Sequence, residues 1–124
     1  MKKSIYLFIA FTLSLNGYSQ CTDVLVTIET LVGSFPEEMS WILSNSEGET
    51  LLDFQGGDEY EYEQSEICLP EGCYALIGYD SWGDGWSGGF VSLSYNDSII
   101  NFELDSDAST GVFTFSLNQD IETC

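Results

Sequence analysis

Beyond residue 20 the chain has no lysine, arginine or histidine; its two basic residues are Lys2 and Lys3, and all 21 of its Asp and Glu residues follow them. That absence excludes whole classes of function. Phosphate-backbone binding needs Lys or Arg to neutralise phosphates, so nucleic acid is not an expected partner. General acid–base chemistry by His or Lys is ruled out, which leaves paired carboxylates as the remaining catalytic option. No pair stands out among the 21, and an enzyme is not expected. The carboxylates have only backbone N–H groups, hydroxyls, water or metal cations as partners. The chain also lacks any sustained 3.6-residue apolar period, so no helix is expected. Apolar residues are nevertheless abundant, 44% hydrophobic and 15% aromatic, enough for a packed core despite the self-repulsion of the charge.

The N-terminus has a different composition. Lys2 and Lys3 precede an apolar run from Ile5 to Leu15, too short to span a bilayer. Gly17 and Ser19 place small residues at the third-last and last positions before a cut. Residues 1–19 therefore read as a secretory signal peptide and 20–124 as one secreted domain, extracellular or periplasmic. A lipoprotein would carry a small residue before Cys21, and Gln20 stands there, so soluble export without a membrane span is expected.

Four cysteines remain, Cys21, Cys68, Cys73 and Cys124, an even number that in an oxidising compartment implies disulfides. Their spacing is not that of a zinc motif. Three pairings exist. The short Leu69-Pro70-Glu71-Gly72 turn favours Cys68–Cys73, which leaves Cys21–Cys124 to tie the two ends.

The domain reads as short strands between turn residues. Val24, Val26 and Ile28 alternate with Leu25, Thr27 and Glu29; Met39, Trp41 and Leu43 repeat the pattern. Further strands are expected over Thr50–Phe54, Tyr60–Glu63, Ile67–Leu69, Cys73–Tyr79, Val91–Tyr95, Ile100–Leu104 and Phe113–Leu117. Asn96-Asp97 suits a two-residue hairpin turn, since both residues tolerate positive φ. About eight strands with a turn every 8–12 residues point to an all-β fold, a single antiparallel β-sandwich of jelly-roll type.

The most distinctive stretch runs from Cys68-Leu69-Pro70, Gly72-Cys73-Tyr74 to Asp80-Ser81-Trp82-Gly83-Asp84-Gly85-Trp86. It resembles a small secreted β-sandwich module of bacterial extracellular proteins, notably of the Bacteroidota, which reads C-L-P-x-G-C-Y and then D-S-x-G-D-G-W. The resemblance covers most of Met39 to Phe115. It implies a fold more than an activity, because such modules accompany larger adhesins and hydrolases. Read as one domain after a signal peptide, this chain is expected to depart from the pattern by standing alone.

Asp80 and Asp84 hold the first and fifth positions of a Gly-rich loop with Gly85 at the sixth, as at the start of an EF-hand. Trp82 at the third and Val91 at the twelfth break that match. Two readings remain: the aspartates cap turns through their side chains, or they hold Ca²⁺ with a carboxylate from elsewhere. Trp82 and Trp86 flank the loop glycines and are the candidate ligand-binding platform; of the two, Trp82 is the better candidate for exposure, and burial as a lid over the sandwich end is the favoured reading for Trp86. The acidic run Asp58 to Glu66 reads as a solvated face. These features together favour a non-catalytic, calcium-binding adhesion module that recognises a glycan or cell-surface partner through the loop end. The alternative is a self-associating structural subunit of an extracellular layer, filament or matrix.

Overall fold

The computed structural model describes residues 20–117 and residue 124. The expected signal peptide, 1–19, lies outside the described residues. Eight strands form: β1 Val24–Leu31, β2 Met39–Asn45, β3 Thr50–Gln55, β4 Tyr62–Leu69, β5 Gly72–Asp80, β6 Phe90–Tyr95, β7 Ser98–Phe102 and β8 Thr110–Leu117. Among the described residues the one helical element is a 3-10 turn, Pro36–Glu38.

Two four-stranded sheets result, ordered β4-β1-β6-β7 and β3-β2-β5-β8, with every pairing antiparallel. Moving each strand label two places on, modulo eight, turns these into 6-3-8-1 and 5-4-7-2. Those are the neighbour relations of a jelly roll whose chain is cut between a different pair of strands.

Alternation decides which side chains face inward. In β1, Val24, Val26, Ile28 and Thr30 are buried; in β5, Tyr74, Leu76, Gly78 and Asp80 are. Ile28, Leu43, Leu76 and Leu93 are fully enclosed. Burying each such side chain contributes about 1.5–3 kcal/mol. Trp41 stacks on Phe54 with ring centroids 5.9 Å apart, and its indole N–H donates to Thr30 Oγ1 at 3.1 Å, so its one polar atom is satisfied.

Local rules account for the turns. Asn96 and Asp97 have φ of 47° and 62°, both positive, as the β6–β7 hairpin needs. The segment around Tyr60 departs from the expected strand. Tyr60 has φ of 61° and Glu61 N–H donates to Asp58 O at 3.0 Å, so β4 starts only at Tyr62 and continues without a break to Leu69.

The disulfides correct the expected pairing. They join Cys21 to Cys68 and Cys73 to Cys124, with Cα separations of 5.4 and 5.5 Å. Cys68 is the second-last residue of β4 in one sheet and Cys73 the second of β5 in the other, so Pro70-Glu71 crosses between sheets and does not close a hairpin. Cys68 is in register with Leu25, which brings it beside the segment entering β1. Cys73 is in register with Ser116, near the exit of β8. Each bridge thus fastens a terminus to its own sheet.

The sandwich is polar along its length. At one end lie the two disulfides and the turns 45–49, 69–72 and 96–97. At the other lie the longer connections 32–38, 56–61, 81–89 and 103–109, which carry the candidate site.

Candidate metal centre

Three segments converge at the loop end. Met39, the first residue of β2, is in register with Asp80, the last of β5. Ser81 N–H donates to Glu38 O at 3.2 Å, and Asp80 N–H donates to Ser109 O at 2.8 Å. Pro36 opens the 3-10 turn with φ preset, and the turn delivers Glu38 immediately before β2. Strand parity sends the Asp80 side chain inward, in the same phase as Leu76 and Gly78.

Asp80 is only 2% exposed. Its Oδ2 accepts the Asp84 N–H at 2.6 Å and its Oδ1 accepts the Trp82 N–H at 3.4 Å. The carboxylate thus folds the 80–84 loop around itself, as the turn-capping reading expects. Gly85, with φ of 83°, then brings the loop so close to the 103–109 connection that a Cβ there would lie 2.7 Å from Asp105 O.

The fold adds a third carboxylate. Glu38, Asp80 and Asp84 each offer an oxygen within 4.8 Å of the others, and this acidic group can hold a metal ion. Glu38 and Asp80 are buried and Asp84 is exposed. Glu38 is 9% exposed, and its Oε2 is buried with no hydrogen-bond partner among the described residues. Burial pushes the Glu38 carboxyl above its usual range; the charges of Asp84, Asp80 and Glu37, and the hydrogen bond its neutral form makes with the Asp80 carboxylate, push it further the same way. A buried carboxylate with an unpaired oxygen is costly, and here no basic side chain is present to offset it.

A cavity of about 520 Å³ opens beside the cluster. Its lining includes Glu37, Glu38, Ser40, Gln55, Tyr79 and Asp80. Gln55, Ser40 and Tyr79 are cross-strand neighbours in register, so one row of side chains across β3, β2 and β5 forms its wall.

The two loop tryptophans separate. Trp82 is 75% exposed. Trp86 is 4% exposed, which corrects its candidacy as a ligand platform. Its indole N–H donates to Tyr79 O at 2.8 Å and its ring meets Phe102 edge-on at 5.7 Å. The reason lies in two strand glycines. Gly78 and Gly111 are in register across β5 and β8, and a Cβ at Gly78 would lie 2.6 Å from Trp86 Cζ2, at Gly111 2.7 Å from Leu104 Cδ2. The pair leaves a hollow in the sheet that Trp86, Phe102 and Leu104 fill.

The sequence indicated Asp80 and Asp84 but not Glu38. No local spacing connects Glu38 to the loop; only the register of β2 against β5 does. The run Asp58 to Glu66 supplies no second cluster of this kind among the described residues, and most of it is exposed. No family model, curated protein or solved structure matches the chain.

Proposed function

We propose that this chain is a non-catalytic, secreted binding module whose loop end is organised by Ca²⁺ at Glu38, Asp80 and Asp84 and recognises a glycan or a surface partner. One observation carries the reading: a buried, unpartnered Glu38 oxygen faces two further carboxylates in a domain without a cationic side chain. Hard oxygen ligands at this spacing suit Ca²⁺, whereas zinc favours His and Cys, and the four cysteines are engaged in disulfides. The exposed Trp82 on the loop that Asp80 folds gives the same end an aromatic contact surface. Two disulfides fit an oxidising location, and among the described residues no helix is long and apolar enough to cross a membrane. The resemblance to secreted bacterial modules in the Asp80–Trp86 stretch supports the same assignment.

The test is thermal melting in CaCl₂, in EDTA and in NaCl of equal ionic strength. Ca²⁺ at 100 times its Kd stabilises by about 2.7 kcal/mol. NaCl screens the overall charge without filling the site. Glu38→Gln and Asp84→Asn should lose most of the Ca²⁺-specific gain. An equal shift in wild type and variants, or one matched by NaCl, would reduce the site to a set of turn caps.

The structural-subunit reading draws on the sheet edges. β3, β4, β7 and β8 are outermost in their sheets, and β7 and β8 expose Ile99 and Val112. Such strands can accept a neighbour's strand. Concentration-dependent assembly in sedimentation experiments would favour it.

A further inference from the structure

We infer that the loop end docks an arginine-rich segment of a partner protein, whose guanidinium groups stack on the exposed rings of Phe35, Tyr60 and Trp82 and pair with the carboxylates beside them. The inference rests on the reading of this end as the binding surface, names the partner's chemistry and does not involve the ion.

The argument starts from where exposed rings lie. Among the described residues the exposed aromatic side chains are Phe35, Tyr60, Tyr62, Tyr79 and Trp82. All belong to one end of the sandwich. Phe35, Tyr60 and Trp82 sit on the connections 32–38, 56–61 and 81–89; Tyr62 is the first residue of β4 and Tyr79 the second-last of β5. The turns of the disulfide end, 45–49, 69–72 and 96–97, contain no aromatic residue. The other exposed large apolar residues, Leu25, Ile99 and Val112, are aliphatic and lie on strands. Single exposed apolar residues need no explanation, but rings gathered at one end mark an interaction surface.

The three loops form one connected surface. The Tyr60 hydroxyl and Ser34 Oγ are 3.1 Å apart, and the Ser34 N–H donates to Ser87 O at 3.3 Å. The Val32 N–H donates to Glu61 O at 2.9 Å, and the Ser81 N–H to Glu38 O at 3.2 Å. Loop 32–38 is thus tied on one side to the Tyr60 loop and on the other to the Trp82 loop. Tyr60, with φ of 61°, and its bonded hydroxyl hold a ring that is still 63% exposed.

Charge then selects the partner. Glu59 and Glu61 flank Tyr60, Glu37 is two residues from Phe35 and Asp84 two from Trp82; all four carboxylates are exposed. The domain supplies no cation to pair with them. An apolar or neutral partner that covered the rings would desolvate these charges without a counter-charge. An anionic partner would be repelled. A guanidinium group meets both demands, since its flat face stacks on an aromatic ring and its N–H fork binds a carboxylate. Lysine offers the charge without the flat face.

The experiment titrates the full secreted chain with labelled nona-arginine and nona-lysine peptides and with a chitosan oligomer, reading fluorescence anisotropy in EDTA and in CaCl₂. Nona-arginine should bind more tightly than nona-lysine, by about threefold. Tyr60→Ala and Trp82→Ala should each weaken nona-arginine binding about tenfold without changing the protein's charge. Leu25→Ala, an exposed aliphatic control, should bind as wild type does. Glu37→Gln combined with Glu59→Gln should weaken binding more than Glu47→Gln combined with Glu49→Gln, which removes the same charge at the disulfide end. Trp82 is 75% exposed, so Trp82→Ala should melt as wild type does and the comparison should survive any effect of Tyr60→Ala on its loop. Aromatic variants that bind as wild type does, or equal losses from the two glutamate pairs, would reduce binding to general attraction by a polyanion and overturn the inference. Tighter binding of the chitosan oligomer than of nona-arginine would assign the surface to an amino sugar instead. A Ca²⁺-specific melt shift without nona-arginine binding would sink this inference and leave the metal reading in place. Ring-dependent binding in EDTA by a protein that Ca²⁺ does not stabilise would do the reverse.

Discussion

The two ends of the sandwich are held by different physics. At one end the turns are short and two disulfides fasten Cys21 and Cys124 to strands of opposite sheets. At the other, longer connections are gathered by an inward carboxylate, Asp80, that accepts two backbone N–H groups, and by a buried Trp86. The covalent end restricts the unfolded chain through bonds that need no cation. The carboxylate end is built from like charges, so its order depends on what neutralises them. A binding surface on a rigid scaffold is expected where local stability is adjustable, which is the second end.

The largest expected effect comes from erasing the first end. Each bridge closes a loop of roughly 50 residues, worth about 4 kcal/mol on the chain-entropy account. Together they approach the whole stability of a small domain. Reduction with dithiothreitol should therefore unfold the protein well below its oxidised melting temperature, in CaCl₂ as in EDTA. A reduced protein that melts normally would show that the sheets alone suffice.

Next in size is the bond between loop and core. Trp86→Ala removes an indole from the Gly78–Gly111 hollow and should cost about 3–5 kcal/mol. Urea unfolding measures it. Hydrogen exchange should show the 81–89 connection opening first, with the disulfide end still protected. Uniform loss of protection at both ends would break the distinction.

The smallest effect is the most specific. Glu38 has its folded-state pKa raised above 4.5, so the folded protein holds that proton more tightly than the unfolded chain does. In EDTA this group destabilises the fold at pH above its folded pKa, and the penalty fades as pH falls through that pKa toward 4.5. Glu38→Gln should thus melt higher than wild type in EDTA near neutral pH, and the gap should close on acidification. A gap that is constant with pH would mean the carboxyl is not the cause. The disulfide end should show no counterpart in this acidic window, because its shifted groups are Tyr74 and Tyr95, whose hydroxyls burial pushes above 10.

Much of the fold was legible from alternation alone. Val24, Val26, Ile28 and Met39, Trp41, Leu43 face inward as their period-2 pattern requires, and Asn96-Asp97 turns as its chemistry requires. Asp80 was legible further than its loop position suggested, because counting from Leu76 through Gly78 already puts it on the inner face. What the sequence left open or misplaced shares one cause. Cys68 and Cys73 are near in sequence, but β4 and β5 lie in opposite sheets, and the disulfides follow the sheets. Glu38 meets Asp80 only through strand register, a long-range relation that carries no local signature. Trp86 is buried because of Gly78 and Gly111, and strand glycines can be read as sites of close approach only once their partner is known.

The disulfide connectivity also defines a load path. A pull applied between Cys21 and Cys124 passes through the first bridge to Cys68, along the backbone to Cys73, and through the second bridge to Cys124. Only the stretch from Cys68 to Cys73 bears the tension along its backbone, and at ~3.3–3.6 Å per residue it extends to about 20 Å at most. Both sheets hang beside this path as closed loops in parallel with it. Stretching by the ends therefore leaves the carboxylate cluster and its cavity mechanically unloaded, at any force the S–S bonds themselves withstand.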